Sequence, residues 1–296
     1  MSKIRDIRKV TESRPTIEGA GVHVKRAFGF GDVSAYDLFL LLDDFRSDDP
    51  RSYVKGFPWH PHRGIETITY VLCGDVEHGD SMGNKGVIGS GDVQWMTAGS
   101  GIIHQEMPRG DHRGVMQGFQ LWANLPSTHK MKNPRYQEVQ SIRIPEVSTG
   151  DGTKIRIICG EVKGTKGPVE HIVIDPEYLD VTVSSHSTFI HPTRRGHTVL
   201  AYVIEGNAYF DAGKNTLVSN EHLVIYDEGE QVTVSTEAQP VRFLLISGKP
   251  VGEPIAWYGP IVMNTQEELQ VALEEYRNGT FIKPVAEGHG RKRKDT

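Results

Sequence analysis

Two pairs of side chains stand out in this sequence as candidates for chemistry. His60 and His62 are one residue apart, and His104 and Glu106 repeat that spacing about forty residues later in GSGIIHQEMP. Side chains alternate faces along a strand, so each i, i+2 pair projects to one side. Two such pairs on adjacent strands can aim three imidazoles and one carboxylate at a single point inside a barrel. Three borderline nitrogen donors and one hard oxygen donor suit a divalent first-row metal. A closed structural zinc site would more often use cysteine. An octahedral ion held by this set would keep two positions open for water, O2 or substrate. Any one of these histidines alone would be ordinary; the repeated pair is what points to a metal.

The elements that must position them read as short strands. Residues 65–72, IETITYVL, alternate Ile65, Thr67, Thr69 and Val71 against Glu66, Ile68, Tyr70 and Leu72, between Gly64 and Gly74. Similar runs fall at 87–88, 93–96, 119–123, 155–159, 181–183, 199–204, 223–226 and 241–246. Gly-Asp at 74–75 and 91–92, Asp-Gly at 151–152 and Gly-Asn at 206–207 supply turns between them. Many evenly spaced strands with few helices predict an all-β sandwich or barrel. One helix is expected near the end. Thr265 and Glu268 form a capping-box pattern, Leu269, Ala272, Leu273 and Tyr276 give an apolar stripe, and Gly279 stops it. That helix should pack outside a barrel.

The stretch from about Pro126 to Asp151 is polar and turn-rich, as a linker would be. Across it the sequence repeats weakly: Tyr70-Val71-Leu72-Cys73-Gly74-Asp75 aligns with Tyr202-Val203-Ile204-Glu205-Gly206-Asn207, a shift of 132. The expectation is two tandem barrels, residues 1–135 holding the metal and residues 136–296 carrying the terminal helix. At shifts of 132 and 130 the four ligand positions fall on Pro192, Arg194, Val234 and Thr236. None can replace its counterpart, and the nearby His191 and His197 do not share a strand face. The second barrel should be metal-free.

Composition narrows the function classes. The 296 residues are 37% hydrophobic and 24% charged, ordinary for a globular protein, with 33 Lys+Arg against 38 Asp+Glu. A formal charge of −5 argues against a broad nucleic-acid surface. Cys73 and Cys159 read as reduced, buried thiols. MSKIRDIRKV contains no apolar signal core, and no apolar stretch is long enough to span a membrane, so the cytoplasm is the expected location. The Asn278-Gly279-Thr280 sequon has no role in that compartment, and Arg291-Lys292-Arg293-Lys294 reads as a solvated tail.

The stretch His60-Pro61-His62-Arg63-Gly64-Ile65-Glu66-Thr67 resembles the first cupin motif. Gly91-Asp92-Val93-Gln94-Trp95-Met96-Thr97-Ala98-Gly99-Ser100-Gly101-Ile102-Ile103-His104-Gln105-Glu106 resembles the second motif in its pirin form. HGDSMGNKG (78–86), GFQLWANLP (118–126) and YGPIVMNT (258–265) are also similar to pirin segments. The likeness covers nearly the whole chain and is strongest from Phe57 to Pro126. It implies a bicupin fold with iron, as Fe(II), at His60, His62, His104 and Glu106. Glu66 matches a glutamate that is itself a ligand in general cupins. In pirins the metal carboxylate matches Glu106, which leaves Glu66 as a carboxylate of the pocket or one that orients a ligand. Glu77 and His78 could face the same pocket, although His78 could equally be a turn residue.

The resemblance implies two functions. One is a dioxygenase of the quercetin 2,3-dioxygenase type, acting on a flavonol-like aromatic with O2. There Glu106, or alternatively Glu66, is the catalytic base, and Phe57 and Trp59 flank a flat substrate or pack in the core. The other is an iron-dependent regulatory protein whose partner is a transcription factor or metabolic enzyme. Both use the same ligands, so the motif does not separate them; open coordination positions favour chemistry.

Overall fold

The computed structural model describes residues 2–284 apart from Asp32, Asp151 and Asp175, and the basic run at 291–294 lies outside the described residues. The period-two runs fold as strands. The first twelve are β1 (Ile7–Glu12), β2 (Arg14–Glu18), β3 (Val22–Phe28), β4 (Phe39–Asp44), β5 (Phe57–His62), β6 (Ile65–Cys73), β7 (Asp75–Asp80), β8 (Lys85–Ile88), β9 (Val93–Thr97), β10 (Ile102–Arg109), β11 (Gln117–Asn124) and β12 (Arg135–Val139). A seven-stranded sheet runs β12-β9-β6-β11-β4-β3-β2, and a four-stranded sheet runs β5-β10-β7-β8. Val22, Val24 and Val71 from the first sheet pack with Val76 and Ile88 from the second, which closes the two layers into a barrel.

The second half repeats the plan. Its principal sheet places strand His222–Tyr226 beside Thr198–Tyr209, then Val241–Gly248, Glu177–Val183, Lys154–Cys159 and Glu146–Ser148. Phe189, Phe210, Phe243, Val232 and Val234 fill its interior. The protein is therefore all-β, two tandem barrels with a short C-terminal helix. A third cluster joins the halves through Tyr70, Trp95 and Phe119 on one side and Tyr178, Tyr202 and Leu244 on the other. Two tyrosines tie this seam reciprocally. Tyr70 donates to Asp180 at 2.7 Å, and Tyr202 donates to Asp44 at 3.0 Å. Gly74 and Gly206, at matching places after Tyr70 and Tyr202, both turn with positive φ (84° and 75°), which only glycine adopts without strain.

The chain ends are exchanged between the halves. β1 pairs with strand His222–Tyr226 of the second sheet, occupying the edge that β12 takes in the first. Near the C-terminus, the hairpin Ala256–Tyr258/Ile261–Met263 and the helix Gln266–Arg277 pack on the first barrel, where Leu269, Ala272 and Phe281 cluster with Ile103. The helix begins as expected: Thr265 Oγ1 accepts from Glu268 N, and the Glu268 carboxylate accepts from Thr265 N, both at 3.2 Å. The polar stretch after Pro126 is not wholly a linker. It contains β12, an edge strand paired with β9, and its polar composition reflects one solvent-facing side. Cys159 is buried, whereas Cys73 is only half-buried.

Candidate metal centre

β5 can contain Pro58 and Pro61 because it is the edge of its sheet, where a missing N–H faces away from the ladder. It pairs antiparallel with β10 so that His60 lies opposite His104 and His62 opposite Ile102. A bulge follows His104 and sets Glu106 opposite Phe57. On the other side of β10, Asp80 faces His104 and His78 faces Glu106. Residues directly opposite in an antiparallel pair share a face, so three imidazoles and one carboxylate converge. His60 Nε2 is 3.0 Å from His62 Nε2 and 2.9 Å from His104 Nε2, and Glu106 Oε2 is 3.9 Å from His104 Nε2. The turn from β5 into β6 requires Gly64: its φ is 79°, and a Cβ there would sit 1.9 Å from the Val262 carbonyl oxygen.

Burial sets the charge states. It pushes His60 down to about 4, helped by His104 and opposed by Glu106. It pushes His104 down to about 4, helped by His78. His62 falls well below the ordinary imidazole value through burial and then its two histidine neighbours. Glu106 is raised by burial, against the pull of His60 and of Thr69. The imidazoles are thus neutral at pH 7. His60 Nδ1 donates to the Pro58 carbonyl at 2.9 Å, which leaves its Nε2 with a lone pair and no proton. That one lone pair faces two other Nε2 atoms, so at most one contact is a hydrogen bond. His104 Nδ1 is buried without a partner. One cation at the centre would satisfy the three Nε2 atoms gathered there, and the donor set of nitrogen plus carboxylate fits a first-row divalent ion. His60, His62 and His104 form the one group of three or more potential ligands among the described residues.

Around this cluster, Thr69 Oγ1 lies 2.7 Å from Gln120 Oε1 and 3.1 Å from Glu106 Oε1, its single hydrogen serving one at a time. Gln94 Nε2 is 3.0 Å from His78 Nε2, which also meets Glu138 at 3.1 Å. Trp122 stands edge-on to His62, ring centres 5.1 Å apart. Beside His60, His62 and Glu106 opens a cavity of about 550 Å³ whose walls include Leu41, Phe45, Phe57 and Trp122.

The structure brings His60, His62, His104 and Glu106 together, but not Glu66. Thr69 faces the cluster, so Glu66, an odd number of residues away on β6, faces the opposite side. There Trp95 Nε1 and Thr97 Oγ1 each donate to its carboxylate at 2.8 Å, and burial raises its pKa. Both oxygens are committed between the barrels, which corrects its expected place in the pocket. His78 does face the barrel interior, whereas Glu77 pairs with Arg109 in solvent. Phe57 lines the cavity; Trp59 is not in its lining and is 53% exposed. In the second barrel His191 is engaged by Glu177 at 3.0 Å, and Val234 is buried in the apolar interior. Thr69, Gln120, Trp122 and Gln94 had no role assigned from sequence. Their one local signal is the pair of threonines, 67 and 69, on one side of β6.

The Pirin family model matches residues 21–123, and the Pirin C-terminal cupin domain matches residues 178–282. A Pirin-like protein of Caulobacter vibrioides is 40% identical over 280 residues, 94% of this chain and 99% of the relative. A Pseudomonas aeruginosa protein named, provisionally, a quercetin 2,3-dioxygenase is 38% identical over 285 residues, 95% of this chain and 99% of its own. Among solved structures, a quercetin 2,3-dioxygenase from Acinetobacter baumannii superposes with a TM-score of 0.86 at 31% identity, covering 94% of this chain and 98% of that one. Both barrels match, in order and along nearly the full length. The chain belongs to the pirin family.

Proposed function

We propose that the first barrel holds iron(II) through His60, His62, His104 and Glu106 and oxygenates flavonols such as quercetin with O2. The observation that supports this reading is the cavity: His60, His62 and Glu106, three of the four candidate ligands, line about 550 Å³ of largely apolar space, a size suited to a flat multi-ring molecule. The provisional quercetin 2,3-dioxygenase name of the Pseudomonas relative and the Acinetobacter neighbour support the same substrate class. A bound divalent metal supplies Lewis acidity and redox capacity at the reacting oxygen. The chain's own groups do the rest. Glu106, raised by burial, accepts the flavonol hydroxyl proton. When Thr69 turns its one hydrogen from Gln120 to Glu106, it steadies that carboxylate. Phe57, Leu41 and Trp122 exclude water and press on the ring faces.

The test is O2 uptake by the iron(II)-loaded protein with quercetin. Uptake should saturate with substrate. Glu106→Gln, nearly isosteric, should lose on the order of a hundredfold or more in kcat while quercetin binding changes little. Absence of both flavonol binding and O2 uptake in the ferrous protein would overturn the reading.

A further inference from the structure

One row of side chains crosses the inner face of the seven-stranded sheet and is polar throughout. Gln94 on β9 pairs with Thr69 on β6, Thr69 with Gln120 on β11, Gln120 with Asp43 on β4, and Asp43 with Arg26 on β3. The neighbouring rows are largely apolar, with Trp122 opposite Leu41 on one side and Phe45 and Val24 on the other. The duplicated barrel provides a control. Its corresponding row, across the corresponding strands, is Val224, Ala201, Leu245, Leu179 and Ile157. All five are buried in its core. The fold therefore does not need a polar row there, and burying one costs free energy unless each group is satisfied.

The row is tied at several points, by Arg26 to Asp43, Thr69 to Gln120 and Gln94 to His78, and keeps spare capacity toward the cavity. At the end away from the histidines, Arg26 Nε and Nη2 donate to Asp43 at 2.8 and 2.7 Å, and Nη2 also donates to Glu18 at 2.7 Å. Arg26 Nη1 has no partner among the described residues, and neither does the Gln120 amide nitrogen. Glu18, Arg26, Asp43 and Gln120 all line the cavity that His60, His62 and Glu106 share. Three strand spacings of about 4.8 Å separate Thr69 from Arg26, roughly 14 Å of backbone, about the length of a three-ring aromatic. The far end thus offers donors on Arg26 and acceptors on Glu18, and a phenolic hydroxyl is both donor and acceptor. Two carboxylates against one guanidinium leave that end net negative, which disfavours a substrate carrying a carboxylate there.

We propose that this polar row selects the substrate: Arg26 and Glu18, with Gln120, bind hydroxyl groups on a ring remote from the reacting one, so the preferred ligand is an elongated, neutral, polyhydroxylated aromatic. The proposal rests on the flavonol reading above and adds which part of the flavonol is read. The probes are quercetin and 3-hydroxyflavone, which keeps the reacting hydroxyl and carbonyl but has no hydroxyl on either outer ring. Affinity is measured without O2 on the iron(II)-loaded protein, by quenching of tryptophan fluorescence, so turnover does not enter. Wild type should bind quercetin on the order of tenfold or more tighter, as one hydrogen bond to a charged group provides. Arg26→Met alone would strand buried Asp43. The double variant Arg26→Met/Asp43→Asn, and separately the surface-side Glu18→Gln, should cut the preference to within about threefold while leaving 3-hydroxyflavone affinity unchanged. Equal affinity for the two compounds in wild type, or a full preference retained in both variants, would overturn the row's role and leave the flavonol reading standing. Binding of neither compound would overturn both.

Discussion

At the level of single residues, three imidazoles are held neutral beside one carboxylate. His60→Ala, His62→Ala or His104→Ala should each reduce metal content, measured by elemental analysis, several-fold below the wild-type value. Circular dichroism should remain that of wild type, because the ligands are not part of the apolar clusters that hold the barrels. The pH dependence follows from the depressed imidazoles. His60 and His104 fall to about 4 in the folded chain, against about 6.5 unfolded. Between those values the unfolded state binds protons that the folded state does not, so stability drops as pH falls through that window. Metal-stripped protein should melt several degrees lower at pH 5 than at pH 7, and His104→Gln should flatten that slope. The convergence of His60, His62, His104 and Glu106 was legible because their spacing is local. Glu66 was misplaced because both faces of IETITYVL carry apolar residues, and parity alone does not say which face turns inward. The polar row was not legible at all, since Arg26, Asp43, Thr69, Gln94 and Gln120 meet only through the register of five strands.

Among the elements, the turn that orients His62 is held by a buried cation. Lys130 Nζ donates to the Gly64 carbonyl at 2.9 Å, to Asn124 Oδ1 at 2.6 Å and to the Val262 carbonyl at 3.0 Å. Burial pushes its ammonium down to about 7. Three elements distant in sequence therefore share one donor: the β5–β6 turn, the end of β11 and the strand Ile261–Met263. Lys130→Met would leave three acceptors without it and should cost about 2–4 kcal/mol. In thermal melts that is a fall of roughly 5–15 °C; an unchanged Tm would show that water replaces the ammonium. The terminal helix was readable from its cap and stripe because both signals lie within one segment. β12 was not, because an edge strand with one solvated face has the composition of a loop.

For the molecule as a whole, the duplication was visible in the recurrence of Tyr70 as Tyr202, and those two residues turn out to bridge the barrels in both directions. The exchange of chain ends left no such trace, because β1 finds its partner more than two hundred residues away. Deleting residues 2–12 should uncover the edge of strand His222–Tyr226, lower the melting temperature and promote self-association seen by size exclusion, since an unpaired strand edge templates pairing. The ligands of the first barrel should stay in place.

The exchange also has a consequence in time. Gly259 and Pro260 form part of the cavity wall, and Phe281 accepts a hydrogen bond from Arg63, next to His62. All of them are translated about 150 residues after β11 completes the seven-stranded sheet's inner strands. At about 5–20 residues per second, that interval is on the order of ten to thirty seconds. A nascent chain thus has all four candidate ligands outside the ribosome well before the last wall exists to enclose them, which leaves an open-sided vestibule for a metal ion to enter during synthesis.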